Sequence, residues 1–430
     1  MQKDYFGTKI IHEDGFTDLF CFDDKIKIAV IGLGYVGLPL FCQLSKIYSC
    51  IGYDIDSYRT SELAKGIDSR NSVEKKVLED AISNNVLTND INEISSCNFY
   101  IVTVPTPIDS HCMPNVSALE NVCIALSSII HKNSIIIFES TVYPGATEEL
   151  CVPLLSKSGL MYNRDFYVGY SPERINVGDV EHQISKVPKI VSGSSSQITD
   201  LIGHVYQSVL DEPIVRASSI KVAEAAKMYE NVQRDVLIAL ANEYSEYCRK
   251  EEIDIKEVTE CASTKWNFSK VLPGLVGGHC IAVDPYYLID KAIRKEIDLP
   301  IIKESRKMNE LKSKIVANRI HDIMLDLTIN SSNILFLGFA YKTNSADVRN
   351  TKVADVIKLL SKKGYSVDCF DPLVNKEEVR MVYGISLSSE LPNMDNYGLV
   401  VVMVEHDNFQ SYSLSEKYND HTIIHLRDLL

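Results

Sequence analysis

At 430 residues the chain is too long for one ordinary domain, and we expect two or three. Its net charge of -14 and pI near 5.3 argue against nucleic acid as a partner, because phosphate backbones bind to basic surfaces. The 11 cysteines show no CxxC pair and no zinc-type spacing, so we predict free thiols, a cytoplasmic location and no metal site. The longest uncharged run, 28–44, is short for a membrane span, and 1–24 has no apolar core of a secretory signal.

A glycine-rich loop follows the first predicted strand. Residues 25–31 are a β-branched run, 32–37 read Gly-Leu-Gly-Tyr-Val-Gly, and an apolar helix is predicted to extend to about residue 46. A second strand, 49–53, ends in Asp54, 22 residues after the first glycine. The glycines permit a pyrophosphate to approach the helix N-terminus, and Asp54 would accept hydrogen bonds from ribose and repel a 2′-phosphate. The pattern predicts an NAD site.

Three further buried strands are predicted in this half, at 98–104, 134–138 and 166–170. In a doubly wound sheet, ligands bind at the carboxyl ends of the strands, so the loops after these strands should face the cofactor. Thr106, Thr141 and Glu173 are the candidate site residues there. The alternative for the threonines is helix capping, and for Glu173 simple solvation.

A long helix is predicted from about residue 220 to 252, with Ser219 as its N-cap, since the stretch between Pro213 and Pro273 contains no glycine or proline. Lys227 and Asn231 are four residues apart and share one face. Their apolar neighbours suggest burial, and a buried ammonium needs a carboxylate or a developing oxyanion. The broad apolar surface of the helix predicts packing against other helices and against a second copy of the chain.

The stretch Gly277-Gly278-His279-Cys280, followed by Asp284, is a plausible setting for a nucleophilic cysteine. Two glycines permit a sharp bend and close approach of a ligand. The alternative is a small buried apolar thiol, which is the commoner state of an intracellular cysteine.

The C-terminal third predicts a second α/β unit. Strands at 333–337, 365–370 and 397–404 alternate with a helix at 351–363, and no complete GxGxxG is present. Such a unit suits a smaller nucleotide than NAD. Lys342 and Arg349, where the first strand opens into its helix, could hold phosphate or sugar, and surface salt bridges are the alternative.

Taken together, the motifs resemble those of the UDP-glucose/GDP-mannose dehydrogenase family of nucleotide-sugar 6-dehydrogenases, from residue 25 to the C-terminus. The resemblance implies an α/β fold of two Rossmann-like doubly wound parallel-sheet domains, joined by a long central helix and a helical dimerisation region. The implied divisions are an N-terminal extension (1–24), an NAD-binding domain (25–213), a central domain with the cysteine (214–325) and a UDP-sugar domain (326–430). The motifs that carry the resemblance are the glycine loop 32–39, Val104-Pro105-Thr106-Pro107, Glu139-Ser140-Thr141-Val142-Tyr143-Pro144-Gly145, Ser171-Pro172-Glu173-Arg174, Glu224-Ala225-Ala226-Lys227 with Asn231, and Gly277-Gly278-His279-Cys280.

The resemblance also implies residue roles. Cys280 would be the nucleophile, Lys227 and Asn231 the oxyanion donors, and Thr141, Glu173 and Asp284 the groups that handle water and protons. NAD would be held by Gly32, Gly34, Tyr35, Val36, Gly37, Asp54, Arg59, Pro105, Thr106 and Thr141. The UDP-sugar would contact Glu173, Arg174, Lys227, Asn231, Phe268, Gly274, Gly277, Lys342 and Arg349.

Residues 264–268 and 276–288 resemble the branch that oxidises UDP-N-acetylhexosamines, in which His279 and Val283 stand where UDP-glucose enzymes typically have serine and lysine. Ala282, Leu272 and the stretch 344–346 depart from that branch, so the choice among GlcNAc, GalNAc and ManNAc stays open. The resemblance implies a homodimer and a product destined for a surface polysaccharide. Two alternatives are a nucleotide-sugar epimerase, suggested by the Tyr287/Lys291 YxxxK pair, and an NAD-binding regulatory protein with a dead site.

Overall fold

The computed structural model describes residues 26–70, 72–174, 186–327, 331–412 and 423–430, and the side chains of 410–412 are not included in that description. The chain forms two compact units, Met1–Met228 and Tyr229–Leu430. The predicted extension 1–24 lies outside the described residues. Within them, no helix is both long and apolar enough to cross a membrane.

The first unit is built on a sheet whose described residues form eight strands in the order β3-β2-β1-β4-β5-β6-β7-β8. Its first six strands have the 3-2-1-4-5-6 order of a dinucleotide-binding fold. The strands are β1 (Lys27–Ile31), β2 (Ser49–Tyr53), β3 (Val86–Thr88), β4 (Phe99–Val102), β5 (Ser134–Phe138), β6 (Phe166–Tyr170), β7 (Lys189–Gly193) and β8 (Ile214–Arg216). The helices are α1 (Gly37–Leu44), α2 (Ser57–Ala64), α3 (Lys75–Ile82), α4 (Ser117–Ser127), α5 (Val152–Leu155) and α6 (Ser196–Gln207), with a π-helical turn at Thr147–Cys151 and 3₁₀ turns at Ile91–Ile94 and Ser156–Ser158.

This sheet is not wholly parallel, which corrects the predicted fold in one detail. Strands β1 to β6 are parallel, whereas β7 pairs with β6 antiparallel and β8 follows β7 in the same direction. An antiparallel neighbour needs no crossover helix, and an otherwise parallel sheet commonly carries such strands at an edge. The central strands β4 and β5 are buried along their whole length, as expected of strands covered on both faces.

Helix α7 (Ile220–Lys250) begins in the first unit and ends in the second. Its start is the predicted one, because Ser219 Oγ accepts a hydrogen bond from Val222 N at 3.2 Å. The helix ends two residues before the predicted position, and Glu252 just beyond it has a positive φ of 57°.

In the second unit the residues that the structure describes form a parallel sheet of four strands in the order β10-β9-β11-β12. Relative to one another the strands run 2-1-3-4, so the strand order reverses between β9 and β11 and a ligand site is expected at that point. The strands are β9 (Asn333–Leu337), β10 (Ser366–Phe370), β11 (Leu399–Val402) and β12 (Ile423–His425). The helices are α8 (Ile255–Ser263), α9 (Asp284–Ile293), α10 (Pro300–Asp326), α11 (Lys352–Lys362), α12 (Lys376–Tyr383) and α13 (Leu426–Leu429), with 3₁₀ turns at Met394–Asn396 and Asp407–Tyr412.

Candidate functional site

The glycine loop after β1 is tied to the end of β2. Asp54 Oδ2 accepts a hydrogen bond from Leu33 N at 2.8 Å, and its other oxygen accepts one from Asp56 N at 3.0 Å. Asp54 remains partly exposed. The carboxylate therefore stands beside the loop with accepting capacity left for a ligand hydroxyl.

Gly37 and Gly34 have different roles in this loop. A Cβ on Gly37 would lie 1.8 Å from the Gly32 carbonyl oxygen, so the turn into α1 closes only with glycine at this position. A Cβ on Gly34 would meet only the tip of Arg70, at 3.5 Å. The space above Gly34 is open at the start of a helix, which is the cradle that a pyrophosphate requires. The residues present thus fit NAD.

Arg59, one of the predicted cofactor residues, is only 2% exposed. Its Nε donates to the Leu33 carbonyl at 2.9 Å, and its Nη1 pairs with Glu62 and Asp68 at 2.5 and 2.8 Å. In this structure Arg59 holds the glycine loop through its hydrogen bond to the Leu33 carbonyl. Direct contact with the cofactor stays a prediction.

The loops after β4 and β5 meet as the strand order predicts. Thr106 Oγ1 donates to the Thr141 carbonyl at 2.7 Å, and Ser140 Oγ donates to the Val104 carbonyl at 2.6 Å. Pro105 is exposed beside them. The Thr106 hydroxyl fixes two strand-end loops to each other instead of capping a helix.

A buried charge cluster lies beneath Glu173. Lys189, at the start of β7 and 4% exposed, contacts Glu139 Oε2 at 2.8 Å and Glu173 Oε2 at 3.5 Å. Burial opposes the charge on Lys189, but the two carboxylates outweigh it and raise the pKa of the ammonium. The Tyr206 hydroxyl completes the cluster by donating to Glu139. Glu139 and Lys189 have no predicted role, and the available signal in the sequence was a lysine at the start of an otherwise apolar strand.

Lys227 is buried, as its apolar neighbours predicted, and its Nζ donates to the Glu173 carbonyl at 2.6 Å. One turn earlier on α7, Glu224 accepts hydrogen bonds from Gly145 N at 2.5 Å and Thr147 N at 2.9 Å. These contacts fix the start of α7 against the two strand-end loops that carry Thr141 and Glu173. Arg174, the remaining predicted residue here, donates from Nη1 to the Pro188 carbonyl at 2.8 Å.

In the second unit, Cys280 lies in the turn that leads into α9. Its carbonyl accepts hydrogen bonds from Val283 N at 3.0 Å and Asp284 N at 2.8 Å. Asp284 is 1% exposed, and its Oδ2 accepts a hydrogen bond from Asn231 Nδ2 at 2.5 Å. The structure therefore brings Cys280, Asp284 and Asn231 together at the start of one helix, with Cys280 partly accessible.

His279 contacts the loop that precedes α11. Its Nδ1 lies 3.5 Å from Asp347 Oδ2, and Arg349 grips both oxygens of Asp347, at 2.9 Å from Nε to Oδ1 and 2.5 Å from Nη2 to Oδ2. Burial lowers the pKa of His279, but the neighbouring Asp347 and Cys280 outweigh it and raise this pKa to about 9. The imidazole is therefore protonated at neutral pH. The sequence analysis assigned His279 no chemical role.

The other predicted substrate residues of this unit differ in exposure. Phe268 is 43% exposed, and the Lys342 ammonium lies 5.6 Å from the centre of the Tyr341 ring, at the loop after β9. Gly274 is held at both backbone atoms by Asn242, at 3.0 and 2.9 Å, and a Cβ there would meet nothing within 4 Å. The buried amide of Asn242, missed in the sequence, fixes a segment with open space beside it.

Models of three domains of one family match this chain. Residues 26–210 match the NAD binding domain of the UDP-glucose/GDP-mannose dehydrogenase family, 221–311 its central domain and 335–430 its UDP binding domain. The chain belongs to this family. The predicted fold class, with the correction at β7 and β8, is confirmed, as are NAD as cofactor and a UDP-sugar as substrate class. The family excludes the epimerase alternative, and Tyr287 of the YxxxK pair is fully buried in α9.

The chain is similar to named relatives over nearly its whole length. It is 44% identical to UDP-N-acetyl-D-glucosamine 6-dehydrogenase of Salmonella typhi over 390 residues, 90% of this chain and 91% of the relative. It is 43% identical to the protein of the same name from Pseudomonas aeruginosa, covering 90% and 92% of the two chains. A solved UDP-D-ManNAc dehydrogenase of Pyrococcus horikoshii is 28% identical, with a TM-score of 0.85 over 94% of this chain and 96% of that one. The individual residue roles and the predicted domain boundaries stay predictions.

Proposed function

We propose that the protein oxidises the C6 hydroxyl of UDP-N-acetylglucosamine to a carboxylate, using two molecules of NAD per sugar. The observation that carries the proposal is the arrangement of Cys280, Asp284 and Asn231 at the start of α9, because a four-electron oxidation needs a group that retains the aldehyde. The choice of N-acetylglucosamine is supported by the 44% identity to a relative named for that substrate, against 31% to one named for the mannosamine sugar.

Bound NAD supplies the hydride acceptor for both oxidations, and Gly34, Asp54 and Thr106 are the residues that would hold it. Cys280 Sγ forms a bond to C6 of the aldehyde, the carbonyl π electrons move to oxygen, and the oxygen takes up a proton. Removal of a hydride from C6 and the hydroxyl proton from this thiohemiacetal leaves a thioester on Cys280. Water then attacks the carbonyl carbon, the C–S bond breaks and the sulfur leaves as a thiolate.

The polar groups with proposed roles fall into two sets, one within each unit. In the second unit Asp284, oriented by Asn231, is placed to accept the proton of the attacking water. In the first unit Lys227 is a buried cation, and a donor of this kind contributes about 3 to 4 kcal/mol when it stabilises an oxyanion. Thr141 and Glu173 lie on strand-end loops and serve in handling water and protons.

The test is the number of NADH molecules formed per sugar, with limiting UDP-sugar and excess NAD. We expect two NADH per UDP-N-acetylglucosamine and little from UDP-glucose. One NADH per sugar would show a two-electron enzyme, and none with any UDP-sugar would favour the dead-site alternative. Faster turnover of UDP-N-acetylgalactosamine or the mannosamine sugar would correct the substrate but leave the chemistry in place.

The role of the thiol is tested by Cys280→Ala, which should abolish formation of the UDP-uronic acid. Cys261→Ala is the matched control, since Cys261 is an exposed thiol on α8 of the same unit. Wild-type rates in Cys280→Ala would contradict the proposed chemistry, whereas a loss in both variants would indicate general damage.

The predicted homodimer is part of the same proposal. Val222, Tyr229, Leu240, Tyr244 and Tyr247 form one stripe along α7 and are 46 to 69% exposed. A stripe of this length and apolarity is typical of a helix that packs against a second copy. Light scattering should show a dimer for the wild type and for Lys250→Glu at the exposed end of α7, and a monomer for Leu240→Glu. A monomeric wild type would rule the dimer out.

A further inference from the structure

The loop that carries Cys280 is fastened to a second loop of the same unit. Gly278 N donates to the Arg349 carbonyl at 3.1 Å, and Asn350 Nδ2 donates back to the Gly278 carbonyl at 3.0 Å. Gly278 has a φ of 80°, and a Cβ there would lie 2.9 Å from the Tyr341 ring. The two backbones therefore meet more closely than a side chain at 278 would allow, and the orientation of His279 and Cys280 is set by this contact.

The contact places His279 between a thiol and a carboxylate. On one side its neighbour in the chain, Cys280, helps to raise the pKa of the imidazole, and on the other its Nδ1 faces Asp347 Oδ2 at 3.5 Å. The Tyr341 ring lies edge-on to the imidazole, with 6.5 Å between the ring centres. Arg349 is a further charged group that acts on His279 and lowers its pKa, and Arg349 donates hydrogen bonds to both oxygens of Asp347.

We propose that His279 is a catalytic residue that holds Cys280 as a thiolate, and that Asp347 is the positioning residue that keeps the imidazole protonated and aimed at the sulfur. The imidazole already carries both of its ring protons, so the proton of the thiol passes to solvent water, which leaves an imidazolium and thiolate pair. No oxidant or reductant is needed, because only a proton leaves the pair. The proposal rests on the proposed function for its purpose, but its geometry lies wholly within the second unit.

The pair assists the proposed reaction in two steps. Only a thiolate attacks an aldehyde at a useful rate, so the pair prepares the nucleophile before the aldehyde forms. When water opens the thioester, the sulfur leaves as a thiolate, and the same imidazolium stabilises the leaving group. Asp347 holds the imidazole in place and is itself held by Arg349.

The test is the pH dependence of alkylation of Cys280 by iodoacetamide, read on its tryptic peptide by mass spectrometry in enzyme without substrate. In the wild type, Cys280 should react at lower pH than Cys261, which is the exposed reference thiol in the same sample. In His279→Gln the Cys280 curve should move up by about one pH unit, and the rate at pH 7 should fall about tenfold, because the charge partner is gone. Asp347→Asn should move the curve in the same direction by less.

His425→Gln is the matched control. His425 is also a half-buried histidine that faces a carboxylate in this unit, with Nδ1 2.7 Å from Glu405 Oε1. It should leave the Cys280 curve unchanged. Coincident Cys280 curves in the wild type and His279→Gln would overturn the proposal, and so would a wild type in which Cys280 and Cys261 react alike, a result that requires no variant to fold.

The outcomes separate this proposal from the proposed function. A shifted alkylation curve in a protein that forms no NADH would support the pair and contradict the dehydrogenase. Normal NADH formation with coincident curves would do the reverse. A kinetic check is available in the active enzyme, where the rate lost in His279→Gln should be recovered in part as the pH is raised.

Discussion

The two Rossmann-like sheets start from the same construction and use it differently. In each, the first strand ends in a glycine with positive φ, 93° at Gly32 and 90° at Gly338. In each, an aspartate at the end of the neighbouring strand accepts a hydrogen bond from the amide just after that glycine, at 2.8 Å for Asp54 and 2.7 Å for Asp371. The shared part is therefore a method of holding the first loop against the second strand.

The two aspartates differ in how much hydrogen-bonding capacity remains for a ligand. Asp54 is partly exposed and accepts two backbone hydrogen bonds. Asp371 is fully buried, accepts hydrogen bonds from four backbone amides and contacts His406 Nε2 at 3.0 Å. Its carboxylate is therefore occupied by contacts within the protein. The same residue type at the same topological position thus serves a ligand in one unit and the fold in the other.

The loops themselves show the same contrast. The first loop has a second glycine, Gly34, with open space beside it, whereas the corresponding position of the second loop is Ala340, which is fully buried. The pyrophosphate of a dinucleotide can approach the loop backbone at Gly34, whereas the buried Ala340 leaves no such space. The first loop therefore fits a dinucleotide, and the second loop does not offer the same cradle.

The largest expected effect is a loss of stability, and it should distinguish a glycine that the turn requires from a glycine that the ligand requires in the first loop. Gly37→Ala should destabilise the first unit by about 4 kcal/mol or more, because its Cβ would overlap a backbone oxygen at 1.8 Å that cannot move alone. Gly34→Ala should leave the melting temperature unchanged and weaken NAD binding at least about tenfold. Thermal unfolding and NAD titration measure the two quantities. Equal losses of stability would show that both glycines serve the turn.

The next effect tests the two aspartates directly. Asp371→Asn should cost about 3 to 4 kcal/mol of stability, because it leaves His406 and several buried amides with a poorer acceptor. Asp54→Asn should cost less than about 1 kcal/mol but weaken NAD binding about tenfold. Chemical denaturation with and without NAD distinguishes the two. A strong loss of stability in Asp54→Asn would remove the contrast on which the comparison rests.

A third effect concerns the buried cluster of the first unit. Lys189→Met should cost about 3 kcal/mol, since it leaves Glu139 and Glu173 without their cation. Turnover should also fall about tenfold, because Glu173 loses the contact that orients its Oε2. Lys132→Met is the control, as Lys132 is a mostly exposed lysine facing Asp165 at 3.9 Å. Unchanged stability in Lys189→Met would mean that the two carboxylates take up protons at little cost.

Much of this arrangement follows from local sequence. Strands 49–53, 134–138, 166–170 and 333–337 have their predicted bounds, because each is a short apolar run followed by a polar residue or a glycine. The antiparallel β7 was not predicted, since a strand's direction depends on its partner and leaves no mark on its own residues.

The candidate site likewise contains residues that local sequence identifies and partners that it does not. Cys280, Lys227 and Asp54 could be selected because glycine spacing and helical periodicity act over a few residues. The partners that define their surroundings come from far along the chain: Asp347 lies 68 residues from His279, and Lys189 lies 50 from Glu139. Charges paired over such distances are brought together by the fold alone. Arg59 shows the converse, since a residue selected for the cofactor is bound to the loop itself.

The smallest expected effect is a pH dependence confined to the second unit. The pKa of His279 is about 9 in the folded chain and near 6.5 in the unfolded chain, so its contribution to stability is complete below pH 6.5 and is lost as the pH rises through 9. With the side chain 30% exposed, we expect this contribution to be about 2 kcal/mol. Denaturation between pH 6 and 9.5 should therefore show a decline in the wild type and in His425→Gln that is reduced in His279→Gln. The Lys189 cluster adds nothing to this slope, because its ammonium has a raised pKa and remains charged throughout the range. A decline of equal size in His279→Gln would place the titrating group elsewhere and would remove the charge on which the His279–Cys280 pair depends.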